Sequence, residues 1–285
     1  MNKLRLQSPA KLNLFLKVNG KRPDGYHDLT TLFERIDLCD EVTLTLNKTG
    51  AVRIFCSHPS VPTNSRNLAY KVAKLLKDDF SIKSGVDIKI IKRIPVAAGL
   101  GGGSSNAATV LLGLNRLWKL SLSLPKMVKY AQKIGSDVPF FLHNTSWAMG
   151  TQRGDRIKRL PLPLKLWHVL VVAELKVYTR EIFGVLNLKL TKPKTDVNIL
   201  RRALRKNDLP RISHFLFNDL ETAIVQSHPN LLKIKEALEN CGAVGVCFSG
   251  SGPTVFGLVE SRQKAQSVKR ILKKRFNRVF VARTQ

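Results

Sequence analysis

"IPVAAGLGGGSSNAATVLLGLN", residues 94–115, leaves an apolar strand, passes through five residues of which four are glycine (99–103), and continues as a helix. Glycines at the mouth of a helix let backbone N–H groups come close to a ligand, and the unpaired N–H groups and the positive end of the helix dipole attract an anion. Gly99, Leu100, Gly101, Gly102, Gly103, Ser104 and Ser105 fit that task. A second reading stays open, a flexible turn in which Ser104 caps the helix. The loop lacks the lysine of G-x-x-x-x-G-K-[ST], and Ser104 stands where the third glycine of a Rossmann fingerprint would fall. That fingerprint also wants an acid about 20 residues on, whereas the chain has no carboxylate side chain between Asp87 and Asp137. If the anion is a nucleoside triphosphate, Mg²⁺ and basic residues outside the loop must neutralise it.

Outward from the loop, VDIKIIKRI (86–94) alternates as a strand should and Pro95 ends it. The helix after the glycines, 104–119, is apolar on nearly every side, which predicts a buried position. Residues 67–80 have helical spacing with Asn67 as cap, and 124–134 forms another helix after Ser123. Near the N-terminus, strands are expected at 12–18, 29–38 and 41–46, with Pro23-Asp24-Gly25 as turn. Beyond Asp155 the pattern predicts a strand at 167–173 and helices at 179–188, 196–206, 213–226 and 229–240. Strands at 243–248 and 254–259, a helix at 261–275 and a strand at 278–283 complete it. The fold class is α+β, helices over an antiparallel sheet, in two parts, 1–155 and 156–285, with the groove between them as the expected ligand site.

A chain of 285 residues, 44% hydrophobic, has ample material for packed cores. Its formal net charge of +28 makes polyanions the natural partner class: nucleic acid, anionic membrane or phosphorylated small molecules. Much of the excess follows Glu260, from Arg262 to Arg283, with no acid among them. No exposed-aromatic pattern or reader motif accompanies it, so a solvated helix face with Val268, Ile271 and Leu272 packed inward is preferred and nucleic acid is disfavoured. Cys39, Cys56, Cys241 and Cys247 form no C-x-x-C pair, as befits structural thiols in a reducing compartment. No secretory signal and no membrane span is evident, and a cytoplasmic protein is expected.

Three further places carry candidate chemistry. Asp137 in KIGSDVPFF is the first acid after the glycines; it suits a base near a substrate hydroxyl, or it or Ser136 caps a short helix. Lys11 and Asn13 in SPAKLNLFL share one strand face, while Leu12 and Leu14 point the other way. Read alone, Lys11 is a solvated surface lysine; with a ligand it would hold an acid or a phosphate. Tyr26 and His27 flank a turn, with Phe33 further along, and either stack on a base or fill the turn. The other histidines have no metal-binding spacing.

Six stretches occur together across nearly the whole chain: SPAKLNLFL (8–16), RPDGYHDLTTLF (22–33), PVAAGLGGGSSNAA (95–108), GSDVPFF (135–141), FNDLE (217–221) and SGSGPTVF (249–256). On these the sequence resembles the GHMP kinase superfamily, and PAKLNLFL with DGYH points to a member whose acceptor carries a cytidine. The resemblance implies a ribosomal-S5-like N-terminal domain and a ferredoxin-like C-terminal domain with substrates in the cleft between. It implies transfer of the γ-phosphoryl of ATP, with Mg²⁺, to the 2-hydroxyl of a cytidine-diphosphate-linked methylerythritol in the non-mevalonate route to isoprenoids. Carried over by motif, Asp137 takes the hydroxyl proton and Lys11 stabilises the ionised aspartate and the developing alkoxide. Gly99 to Ser105 hold the ATP phosphates, with Asn67, Lys92 and Asn106 around the nucleotide. Tyr26 and His27 recognise cytosine, Asn13 and Phe33 lie nearby, and Phe183 in REIFGVL is the second aromatic of a base sandwich. Ser249-Gly250-Ser251-Gly252 closes on the substrate. The resemblance supplies no Mg²⁺ ligand and no oligomeric state.

Overall fold

The computed structural model describes residues 2–186 and 196–285. Instead of several short strands, the N-terminal region forms one hairpin of two long ones, β1 (Lys3–Lys21) and β2 (His27–Asn47). Gly25, at φ +81°, lets the turn close, and the Tyr26 carbonyl accepts the Arg22 N–H. The described residues divide into two compact units, and both long strands contribute to each.

The first unit comprises 2–10, Leu38–Val96 and Gly101–Asn144. The second half of β2 pairs antiparallel with β4 (Gly85–Ile91), from Glu41 opposite Ile91 to Asn47 opposite Gly85. β3 (Val52–Cys56) pairs parallel with β4, the arrangement that requires a crossover. α1 (Leu68–Asp79) supplies it, capped by Asn67, whose side chain accepts the Ala69 N–H at 2.9 Å. α2 (Gly102–Leu117), α3 (Leu124–Ile134) and α4 (Val138–Leu142) follow.

α2 is buried as its sequence predicts, with Ala107, Ala108, Val110, Leu111 and Leu114 all fully enclosed. Gly113 is the point of closest approach: a methyl there would lie 2.4 Å from Leu44 Cδ1 and 3.1 Å from Leu6 Cδ1. For Gly113→Ala the helix gains about 1 kcal/mol of propensity, against about 1–3 kcal/mol of overpacking. Leu44 is itself fully buried and has nowhere to retreat, so overpacking wins. Thermal unfolding of this variant should begin about 2–4 °C lower, a shift that corresponds to about 1 kcal/mol net. A rise in Tm would show that the core yields more readily than its packing implies.

The second unit comprises Lys11–Asp37, Ala97–Leu100 and the described residues from Thr145 to Gln285. Here the first half of β2 pairs with β5 (Trp147–Gln152), which pairs with β6 (Arg156–Arg159). A four-stranded antiparallel sheet runs β11 (Val279–Arg283), β7 (Trp167–Val172), β10 (Thr254–Val259), β9 (Gly245–Phe248). Its helices are α5 (Thr179–Val185), α6 (Val197–Lys206), α7 (Leu209–His214), α8 (Glu221–Ser227), α9 (Leu232–Asn240) and α10 (Arg262–Leu272). The helix expected at 179–188 therefore ends early, and its residues 187–188 lie outside the described residues.

The single helix expected at 213–226 is instead α7, a short strand β8 (Phe217–Asn218) and α8. Phe217 pairs parallel with Phe15 of β1, and Asp219 accepts the Val18 N–H at 2.7 Å, so tertiary pairing interrupts the helical pattern. Burial holds the Asp219 carboxyl above the usual carboxylate range, against that hydrogen bond and Lys17. On α10, Ala265, Val268 and Leu272 face inward while Ile271 is half exposed, one position off that stripe. Deeper in this unit Glu34 and His168, both fully buried, meet at 2.8 Å, and Thr284 donates to the same carboxylate. Buried ionisable groups persist only when partnered in this way. No helix among the described residues is long and apolar enough to cross a membrane.

Candidate active site

In the first unit the helix starts two residues earlier than its sequence suggests. Gly101 occupies the N-cap position at φ +68° and contributes no side-chain hydrogen bond, and Gly102 and Gly103 form the first turn. Ser104 thus lies inside the helix, and the alternative in which it caps the helix does not occur. The amides of this turn have no side-chain acceptor at the cap position, which leaves their positive field for another anion. Gly102 is tightly packed, since a methyl would lie 3.0 Å from Ile94 Cγ2 and 3.1 Å from Lys92 Nζ. Gly103 is different: it is helical and exposed, and a methyl there would meet nothing within 4 Å. Neither packing nor φ explains that glycine, and its backbone stands open to approach.

Beneath this turn Asn106 and Lys92 belong to a buried polar network with Asp40, Ser8 and Ser105. Asn67 is largely enclosed as the α1 cap, its amide donating to the Pro62 carbonyl at 2.7 Å. Asp137 stands at the N-cap position of α4 but makes no capping hydrogen bond with its side chain. The capping role left open for it is therefore not what the carboxylate does.

In the second unit the structure brings together Lys11, Asn13, Gly99 and the loop 249–252. Lys11 is not a solvated surface lysine: it is 3% exposed, and its ammonium donates to Asn13 Oδ1 at 2.5 Å and to the Gly99 carbonyl at 2.8 Å. The Asn13 amide donates to Thr31 Oγ1, which donates to the Phe15 carbonyl, each at 2.8 Å. Phe33, 1% exposed, lies below the ammonium with its ring centroid at 6.0 Å. The Ala98 carbonyl accepts from Thr254 Oγ1 at 2.6 Å, the Gly99 carbonyl from Ser249 Oγ at 3.0 Å, and the Leu100 carbonyl from the Lys11 N–H at 3.0 Å. Asn218 secures the facing loop by donating to the Phe248 and Gly250 carbonyls at 2.9 and 2.8 Å.

His27 and Phe183 stack in the same unit, ring centroids 4.7 Å apart and planes 27° from parallel. Tyr26 is exposed, with the Arg153 guanidinium 5.1 Å from its ring centroid. Burial, then the charge of Lys21, hold the His27 imidazole below its ordinary pKa and keep the ring neutral near pH 7. The two rings lie against each other with no room for a base between them, so the expected sandwich around cytosine is not what they form here. Among the described residues no three histidines, cysteines or acids gather where they would hold a metal ion.

Sequence reasoning missed Asp40, Thr31 and Asn218. Asp40 makes its bonds with residues 52 to 66 positions away, and no local pattern announces that. Asn218 carries a faint signal in FNDLE, because asparagine beside a strand end often ties down a turn.

Comparison with known proteins bears on both units. The family model for the GHMP kinases N-terminal domain matches residues 67–145, and that for the GHMP kinases C-terminal domain matches 200–278. The chain is 43% identical to the 4-diphosphocytidyl-2-C-methyl-D-erythritol kinase of Exiguobacterium sibiricum over 98% of its own length and 96% of the relative's. Identity to the enzyme of the same name from Geobacillus kaustophilus is 44%, covering 99% and 97%. A crystal structure of a 4-(cytidine 5'-diphospho)-2C-methyl-D-erythritol kinase superposes with TM-score 0.83 at 33% identity, over 98% of both chains. A homoserine kinase from Cytophaga hutchinsonii shares the fold at TM-score 0.77 and 20% identity, over 100% of this chain and 95% of its own.

Proposed function

The chain belongs to the 4-diphosphocytidyl-2-C-methyl-D-erythritol kinases of the GHMP kinase family, and from that premise we propose how its own residues move a phosphoryl group from ATP to the 2-hydroxyl of 4-diphosphocytidyl-2-C-methyl-D-erythritol. Phosphoryl transfer asks an enzyme mainly for positioning and electrostatic stabilisation. The amides at 99–105 hold the triphosphate, and Gly103 is the observation that carries this reading, because its missing side chain serves nothing but access. Asp137 takes the proton of the acceptor hydroxyl as its oxygen bonds to the γ-phosphorus and the bond to the ADP oxygen breaks. The Lys11 ammonium, aimed by Asn13 and Gly99, offers positive charge to the oxygen as it ionises. No covalent enzyme intermediate is needed.

Mg²⁺, which the family implies, finds no cage of carboxylates among the described residues. Phosphate oxygens and water would be its ligands, as suits an ion that keeps several waters. The four cysteines are free thiols, which favours a reducing cytoplasm as the place of reaction. The test is mass analysis of the product. ATP, Mg²⁺ and the cytidylylated acceptor should yield a product heavier by one phosphoryl group, and methylerythritol phosphate lacking the cytidine should yield none. Equal turnover of both acceptors would remove the cytosine site from this reading.

His27 gives that site its own pH signature. A depressed folded-state pKa means that protonation is resisted by the stacked arrangement, whose stability is complete above the ordinary histidine value and declines as pH falls through the folded one. KM for the acceptor should therefore be flat between about pH 6.5 and 8, and rise only below the ordinary histidine pKa of about 6.5. His27→Ala should raise that KM about tenfold by removing one stacking face. A wild-type KM in this variant would assign cytosine recognition elsewhere.

A further inference from the structure

Asp40 is fully buried, which a carboxylate tolerates only when its lone pairs are filled. Its two oxygens divide their partners. Oδ1 accepts the backbone N–H groups of Arg93 and Ile94, each at 2.8 Å, where the chain has just left β4. Oδ2 accepts from the Asn106 amide at 2.9 Å, on α2, and from the Lys92 ammonium. The Asn106 amide also donates to Ser8 Oγ at 2.8 Å, and that hydroxyl donates to Ser105 Oγ at 2.8 Å. Ile94 and Asn106 are the residues immediately before and after the segment that contains the glycines.

We propose that Asp40 is a positioning residue for nucleotide binding: one carboxylate staples the beginning of the glycine segment to its end and so presets the spacing of the phosphate-binding amides. The inference rests on the nucleotide reading given above. A segment free to wander must be ordered when ligand binds, at a cost of about 1–2 kcal/mol for each residue fixed, whereas a stapled one is ordered on folding. Lys92 is fixed by the same oxygen, with Nζ 3.1 Å from where a methyl on Gly102 would sit, so a buried cation also stands beside the first turn of α2.

Asp40→Asn is nearly isosteric and opens one side of the staple only. Its remaining carbonyl oxygen keeps the two backbone N–H bonds, while its amide turns a donor toward Asn106 and Lys92, which are donors themselves. Calorimetric titration with ADP should show affinity about tenfold below wild type, with KM for ATP raised equally and KM for the cytidylylated acceptor within about twofold. A lowered Tm with wild-type ADP affinity would mean a structural role alone and would overturn the proposal. Asn106→Leu cuts the same link from the helix side and should weaken ADP to the same extent. In the double variant the two losses should not multiply, because both cut one connection; a combined loss near a hundredfold would overturn it. If Asp40→Asn does not fold, Asn106→Leu decides: weakened ADP supports the staple and wild-type affinity refutes it. A wild-type chain that binds no ADP would bring down the nucleotide reading and this inference together, whereas equal binding by wild type and variants would remove the staple alone.

Discussion

Asp137→Asn should lower kcat by about two to four orders of magnitude while ADP affinity stays within about twofold of wild type. Asparagine keeps the shape of the side chain but loses its charge and its ability to take a proton, and puts an amide donor where one oxygen was. It is also as good as aspartate at a helix N-cap position, and Asp137 makes no capping bond that the change would cost, so α4 should begin where it does now. A large loss of turnover with an unchanged melting curve would therefore report chemistry rather than folding. The sequence offers no alternative acid between Asp87 and Asp137. Single-turnover measurement with both substrates saturating isolates the transfer step, and a variant that turns over near the wild-type rate would remove Asp137 as the base.

Gly99→Ala should reduce kcat/KM about a hundredfold, the scale expected when reacting groups are displaced by about 1 Å. Gly99 has φ +73°, which for a residue with a side chain costs about 1–3 kcal/mol. The larger obstacle is contact: the added methyl would stand 2.2 Å from the Ser249 carbonyl oxygen and 2.9 Å from that of Gly252. Both are backbone atoms, so no rotamer change relieves the clash. Either residues 97–100 or the 249–252 loop must move, which separates the Gly99 carbonyl from Ser249, and from Lys11 where 97–100 yields; these hold it at 3.0 and 2.8 Å. Steady-state kinetics beside thermal unfolding checks this. Wild-type kcat/KM would mean that the aim of Lys11 through Gly99 is not used in the reaction.

The strand-to-glycine-to-helix order around 94–115 was legible because it is local, although β4 ends at Ile91 and not at Pro95, the Arg93 and Ile94 N–H groups being taken by Asp40. The helices expected from 196 to 206 and from 229 to 240 were legible on the same ground, α6 starting one residue late because Asp196 is its cap and α9 starting at Leu232 after a 3-10 turn over Pro229–Leu231. Strands β3, β5 and β6 were not anticipated, being four to six residues long; β3 and β5 are fixed by β4 and β2, far away in the chain, and β6 only follows β5. Lys11 carried two readings. Alternation gave its face correctly, yet burial depends on what covers that face, and the cover comes from Gly99 and residues near 250. Stacking of His27 on Phe183 likewise joins residues 156 positions apart; the family pattern put a base beside Phe183, whereas the two rings lie directly on each other.

Three successive carbonyls, those of Ala98, Gly99 and Leu100, are each engaged from behind by Thr254, by Lys11 with Ser249, and by the Lys11 main chain. Because a peptide unit is planar and its C=O and N–H point in opposite directions, anchoring each oxygen also fixes the direction of the N–H of residue 99, 100 or 101 in the same unit. The direction of these amides is thus set by Thr254, Ser249 and Lys11, far away in the chain. A change at Thr254 or Ser249 would re-aim them while leaving every glycine in place.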